Sequence, residues 1–173
     1  MHMSAMTYVK SLRLELSYAH FDSPLPLNRP IAIRSMITVQ VATEEPVPPV
    51  AEFEFWINQA LSDSSKDLCV RVMDESEAEQ LNLRFRQENH ATNVLAFPAE
   101  EADWLGDIAI CSQITSCEAK AAGKSLYEHY AHLVVHGVLH LQGYDHMTPQ
   151  ETSTMQAREI EVLASLGIAN PYL

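Results

Sequence analysis

The order of apolar and polar positions predicts a run of short strands and helices from Ile37 onward. Ile37 to Val41 (ITVQV) alternates and is rich in β-branched residues, which reads as a strand. After Pro46, Pro48 and Pro49, the apolar residues Phe53, Trp56, Ile57, Ala60 and Leu61 recur at helical spacing. Leu68 to Met73 (LCVRVM) is a second strand. Asp74 is placed to cap the next helix, with Glu75, Glu77 and Glu79 in its first turns. That helix is expected to bury Ala78, Leu81, Leu83 and Phe85 and to end near Arg86. Thr92 to Pro98 and Asp107 to Ile110 read as two more strands. A helix from about Ser112 to Ala122 closes at Gly123. Ser125, with Glu128 three residues on, marks the start of a helix that runs to about Gly143. A last helix spans roughly Pro149 to Leu166 and stops at Gly167. The order β-α-β-α-β-β-α-α-α predicts an α+β fold: a small, mostly four-stranded mixed sheet packed with about five helices.

Composition fits that picture. The chain has 173 residues, 47% hydrophobic and 20% charged, which supports a sizeable core and excludes disorder along the whole chain. The net charge of −12 disfavours general binding to polyanions. Any nucleic-acid role then needs a local basic feature, a metal or a partner protein. Residues 1–35 differ from the rest: Lys10, Arg13, Arg29 and Arg34 face only Glu15 and Asp22, and Pro24, Pro26 and Pro30 interrupt regular structure. This stretch reads as a loosely attached arm before a single domain over 36–173. Met36 is a candidate natural start, which would make the arm an upstream extension; the alternative is a basic arm that touches RNA. Cys69, Cys111 and Cys117 form no CxxC pair and read as reduced, mostly buried thiols of a cytoplasmic protein. No apolar run is long enough for a membrane span, and charged residues interrupt any signal-like segment.

The candidate chemistry lies in the run HGVLHLQGYDH. His136 and His140 are one helical turn apart and share a face. Gly143 lets the chain leave the helix in a left-handed conformation, so that His146 folds back toward them. Three imidazoles suit zinc and leave a fourth position for water, while nickel and copper suit the same donors. The spacing equals that of the HExxHxxGxxH zinc proteases, but Gly137 stands where those enzymes carry a Glu as general base. Gly in a helix costs about 1 kcal/mol against Ala; close approach of a substrate or of another backbone segment is the expected reason for it. His129 and His132 lie near the same stripe, either as packed groups around the site or as a ligand in place of His146. Asp145 either orients a ligand histidine or serves the turn. Arg84 and Arg86 precede the loop Gln87 to Ala91 and are candidates for stabilising phosphate charge.

These residues resemble the bacterial YbeY family of endoribonucleases. The resemblance rests on HGVLHLQGYDH at 136–146, on Thr92-Asn93-Val94-Leu95-Ala96-Phe97-Pro98 and on Leu105-Gly106-Asp107-Ile108-Ala109-Ile110, and it extends from about Met36 to Leu173. It implies zinc ligands at His136, His140 and His146 and a functional arginine at Arg86. Ala96 departs from the family's Ser, which puts a hydroxyl role there in doubt. The implied activity is metal-dependent cleavage of single-stranded ribosomal RNA at the 3′ end of the small-subunit RNA, with a part in ribosome quality control. The implied partners are small-subunit ribosomal proteins and assembly GTPases, with neither DNA nor membrane. In the expected mechanism a metal-activated water attacks, Arg86 holds the phosphate, and Tyr144 or Asp145 tunes the site. Two other readings keep the metal: a zinc hydrolase of a different ester or amide, and an assembly factor in which zinc is structural.

Overall fold

The computed structural model describes residues 36–62 and 65–173. The N-terminal arm expected over 1–35 lies outside the described residues. Four strands, β1 (Ile37–Ala42), β2 (Asp67–Met73), β3 (Val94–Pro98) and β4 (Trp104–Cys111), form one sheet in the order β1-β2-β4-β3. β1, β2 and β4 run parallel and β3 is antiparallel to β4, so the sheet is mixed as expected. The described helices are α1 (Val50–Ala60), α2 (Glu75–Arg86), α3 (Ser112–Ala121), α4 (Leu126–Leu141) and α5 (Pro149–Ser165).

The central strands are covered on both sides, which is why their sequences are nearly continuous apolar runs. Leu68, Val70 and Val72 of β2 and Ile108 and Ile110 of β4 pack into a core with α1, α4 and α5. Met73, Leu95, Phe97, Ala109 and Cys111 form a second core with Ala78 and Leu81 of α2. Helix α4 is the pivot of the larger core; Tyr130, Ala131, Val134, Val135, Val138 and Leu139 are all fully buried.

Two expectations need correction. Leu83 is not on the buried face; it is 48% exposed. It stands two residues from Leu81, roughly 200° around the helix, so the stripe that buries Leu81 turns Leu83 to solvent. β4 begins at Trp104 rather than Asp107, so Leu105-Gly106 is strand and not its lead-in. Gly106 takes φ +142, and a Cβ there would lie 2.3 Å from the Phe97 carbonyl oxygen and 2.8 Å from Leu141 Cδ2. Glycine here lets the edge strand and the end of α4 close on β4. Cys69, Cys111 and Cys117 are free thiols; the first two are buried and Cys117 is exposed.

Candidate metal centre

Helix α4 starts with a reciprocal cap. The Glu128 N–H donates to Ser125 Oγ, and the Ser125 N–H donates to Glu128 Oε2. His129, His132, His136 and His140 follow at steps of three, four and four, which puts all four on one half-buried stripe of the helix. The helix stops at Leu141. Gly143 takes φ +90, its N–H donates to the His140 carbonyl, and the Tyr144 N–H donates to the Leu139 carbonyl. This left-handed exit turns the chain back on itself. Two further bonds fix the returning segment. Asp145 Oδ1 accepts the His146 N–H at 2.8 Å, and Thr152 Oγ1 in the first turn of α5 donates to the His146 carbonyl at 3.1 Å.

The turn brings His146 to the other two rings. Ring centroids are 4.6 Å apart for His136 and His140, 5.0 Å for His140 and His146, and 5.6 Å for His136 and His146. One donor atom from each lies within 4.8 Å of the others, and among the described residues this is the group that could hold a metal ion. The donor set fits a borderline-soft divalent cation. Two nitrogens on one tetrahedral zinc, each bonded at about 2.0–2.1 Å, stand about 3.4 Å apart. The Nε2 atoms of His136 and His140 are 3.1 Å apart, already near that spacing. His136 and His140 are half-buried and His146 is exposed, so the centre opens on the His146 side. Burial, then the neighbouring His136 and His146, push the His140 pKa down to about 4. His140 is therefore neutral at pH 7, with a lone pair to give.

The other ring nitrogen of His136 has a partner that the sequence reading missed. Nδ1 lies 2.7 Å from Oε1 of Glu159, a carboxylate of α5 that is 1% exposed. Burial pushes the Glu159 carboxyl up. Hydrogen bonds from His136 and Tyr172, with the charges of His136 and His132, outweigh that and hold it below the ordinary range. A charged carboxylate at Nδ1 selects the tautomer that leaves Nε2 free for a metal. The available signal was Glu159's place on an otherwise apolar stripe with Met155, Val162 and Leu163.

The remaining candidates separate. His129 Nε2 is 2.9 Å from Oε2 of Glu118 on α3. His132 Nε2 is 3.8 Å from Glu159 Oε1, and burial pushes its pKa down to about 4. Neither ring joins the group of three. Arg86 occupies the last turn of α2, exposed and without a hydrogen-bond or ion-pair partner among the described residues. α2 packs on the opposite face of the sheet from α4. The chain then turns at Gln87, a left-handed cap with φ +60. Ala96 of β3 packs into the core that holds α4.

The nearest atoms to Gly137 outside its own helix belong to the Ile108 side chain of β4. A Cβ at 137 would meet Ile108 Cγ2 at 2.9 Å and Cδ1 at 3.0 Å. Position 137 faces the sheet, so it cannot supply the general base that a zinc protease carries there.

The family model of endoribonuclease YbeY matches residues 39–167. The chain is 42% identical over 144 residues to endoribonuclease YbeY of Pseudomonas syringae pv. tomato, covering 79% of this chain and 87% of that one. It is 41% identical over 150 residues to endoribonuclease YbeY of Colwellia psychrerythraea, covering 80% and 97%. The solution structure of TM1509 from Thermotoga maritima is similar with a TM-score of 0.49 and 24% identity, over 76% of this chain and 92% of that one. The family match takes in nearly all of the sheet, the histidine helix and the turn that returns His146, and the chain belongs to the endoribonuclease YbeY family.

Proposed function

We propose that this chain is a metal-dependent endoribonuclease that cuts single-stranded RNA in ribosomal RNA maturation, at the 3′ end of the small-subunit RNA, and takes part in ribosome quality control. Residues 36–173 are its working domain, in the cytoplasm. The observation that carries the reading is the convergence of His136, His140 and His146 in a chain whose relatives are endoribonucleases. These three would hold one ion, zinc or nickel. A bound divalent cation supplies Lewis acidity toward a phosphate oxygen and a nucleophilic water at neutral pH.

The chain's own residues do the rest. Glu159 holds the His136 ring with Nε2 directed at His140. Asp145 fixes the turn that presents His146. Arg86 has no hydrogen-bond or ion-pair partner among the described residues, so it can take a phosphate oxygen at little cost. The net charge of −12 makes naked RNA a weak ligand. Ribosomal proteins and assembly GTPases would supply the missing affinity by presenting the RNA.

A hydrolase of another ester or amide would use the same imidazoles. Its peptidase form is disfavoured by Gly137, whose place against Ile108 excludes a general base. The test is metal analysis together with cleavage of single-stranded RNA by wild type, His140→Ala and Arg86→Ala, with chelator controls. His140→Ala loses both metal and cleavage. Arg86→Ala keeps the metal and loses cleavage. Full cleavage by Arg86→Ala removes the arginine from the reaction, and metal-bound wild type that cuts no RNA leaves the structural-metal assembly factor.

A further inference from the structure

The carboxylate behind His136 is itself held by the end of the chain. Glu159 Oε1 accepts from His136 Nδ1, and Oε2 accepts from the Tyr172 hydroxyl. Tyr172 lies beyond the stretch that the family model matches. Three contacts keep it in place. Lys124 Nζ donates to the Pro171 carbonyl at 2.8 Å, the Tyr172 N–H donates to Asn170 Oδ1 at 2.9 Å, and the Tyr172 ring stands edge-on to His132 at 5.7 Å. Tyr172, Glu159 and His136 also border one cleft of about 290 Å³ beside His146.

We propose that Tyr172 is a positioning residue of the metal centre, acting through Glu159 on the His136 ring. A buried carboxylate with one oxygen bonded keeps a rotational choice. With both oxygens bonded it has a single orientation, and Oε1 is presented to His136 Nδ1. The second bond also removes the cost of leaving Oε2 unpaired on Glu159, which is 1% exposed. The C-terminal segment thus fixes the direction of the imidazole that shares the ion with His140. Outer groups of this kind change metal affinity by about 10–100-fold.

The inference rests on His136 being a ligand, and the experiment separates the two claims. Zinc affinity is measured by competition with a chromogenic chelator for wild type, Tyr172→Phe, Glu159→Gln and the double variant. The visible spectrum of each cobalt-loaded form is recorded alongside. Tyr172→Phe keeps the ring and loses only the hydroxyl. It weakens zinc binding about tenfold and shifts the cobalt bands. In the Glu159→Gln background the same change adds little, because the hydroxyl acts through the carboxylate. A merely structural tyrosine gives equal losses in both backgrounds and an unaltered cobalt spectrum, and that result overturns the proposal. Wild type that binds neither zinc nor cobalt overturns the metal reading and this one with it.

Discussion

Nδ1 of His136 lies 2.7 Å from Oε1 of Glu159, although 23 residues separate them in the chain. The bond crosses from α4 to α5, so it couples the metal centre to helix packing. Removing the carboxylate leaves the His136 Nδ1–H without its partner and opens a hole beside Met155 and Val162. Glu159→Ala is therefore expected to weaken zinc binding by about 10–100-fold. It also costs about 1–3 kcal/mol of stability in the metal-free form. Chelator competition reads the first effect and urea unfolding the second.

Gly137 and Ile108 make a second prediction about the same helix. Ala is the better helix former by about 1 kcal/mol. Its Cβ would stand 2.9 Å from Ile108 Cγ2, and Ile108 is fully buried. Overpacking of this kind costs about 1–3 kcal/mol, so Gly137→Ala destabilises on balance. In an Ile108→Ala background the contact is gone and the same change becomes neutral or stabilising. Equilibrium unfolding of the four proteins in this cycle measures the coupling; additive effects would show that the two residues do not press on each other. Gly137→Glu, the residue of the zinc proteases, is expected to disrupt folding rather than confer peptide cleavage.

Most of this architecture was legible because it is local. The caps at Asp74 and Ser125, the helical spacing of Phe53, Trp56 and Ile57, and the four-residue step from His136 to His140 are fixed by neighbours in sequence. The convergence of His146 was legible too, since Gly143 is a left-handed exit at the right distance. Tertiary facts were not. Gly106 precedes the strand expected from Asp107, yet it lies inside β4, where the Phe97 carbonyl and Leu141 press on it. Leu83 reads as core, but an irregular stripe left its face to be decided by the packing of α2. Glu159 and Tyr172 reach His136 only through the docking of α5 and the C-terminal segment. A lone Glu among Met155, Val162 and Leu163 was the one trace of that in the sequence.

The histidine stripe predicts a pH dependence of the metal-free protein. His132 has an ordinary pKa of 6.5 in the unfolded chain and about 4 in the fold, where burial disfavours its charge. Between those values the unfolded chain binds a proton that the native state does not. Stability therefore falls as pH drops from 6.5 and levels off below about 4, where the native state is protonated as well. Glu159 acts lower down. Its folded pKa lies below 4.5, so its contribution is present above that value and is lost as pH falls further. Unfolding free energies from urea titrations at pH 7 to pH 4 should decline for wild type, His132 alone contributing on the order of 2–3 kcal/mol and His140, pushed down to about 4 as well, adding to it. The decline should be shallower for His132→Gln, which has no proton to take up. Equal slopes for the two proteins would mean that His132 is not a buried neutral ring.

Arg86 supplies the clearest test of how an acidic protein meets RNA. The first 35 residues carry a net charge of +2, which leaves −14 on the remaining 138. Such a surface repels phosphates at long range, and binding must depend on a few close contacts. Arg86 is one: an exposed cation at the end of α2 with no internal partner among the described residues. Its removal should leave stability within about 0.5 kcal/mol of wild type, since no described residue bonds to it. Zinc content should not change either. Each phosphate contact on a single strand contributes about −0.7 to the slope of log K against log salt. Arg86→Ala should therefore weaken binding of single-stranded RNA and make that slope shallower by about 0.7. If Arg86 also meets charge that develops during cleavage, the rate falls by about 10²-fold or more, beyond the loss in binding. Fluorescence anisotropy across a salt series gives the slope, and single-turnover cleavage gives the rate. A reduced slope with an unchanged rate would assign Arg86 to holding RNA alone; a reduced rate with an unchanged slope would place it at the reacting phosphate without a share in ground-state binding.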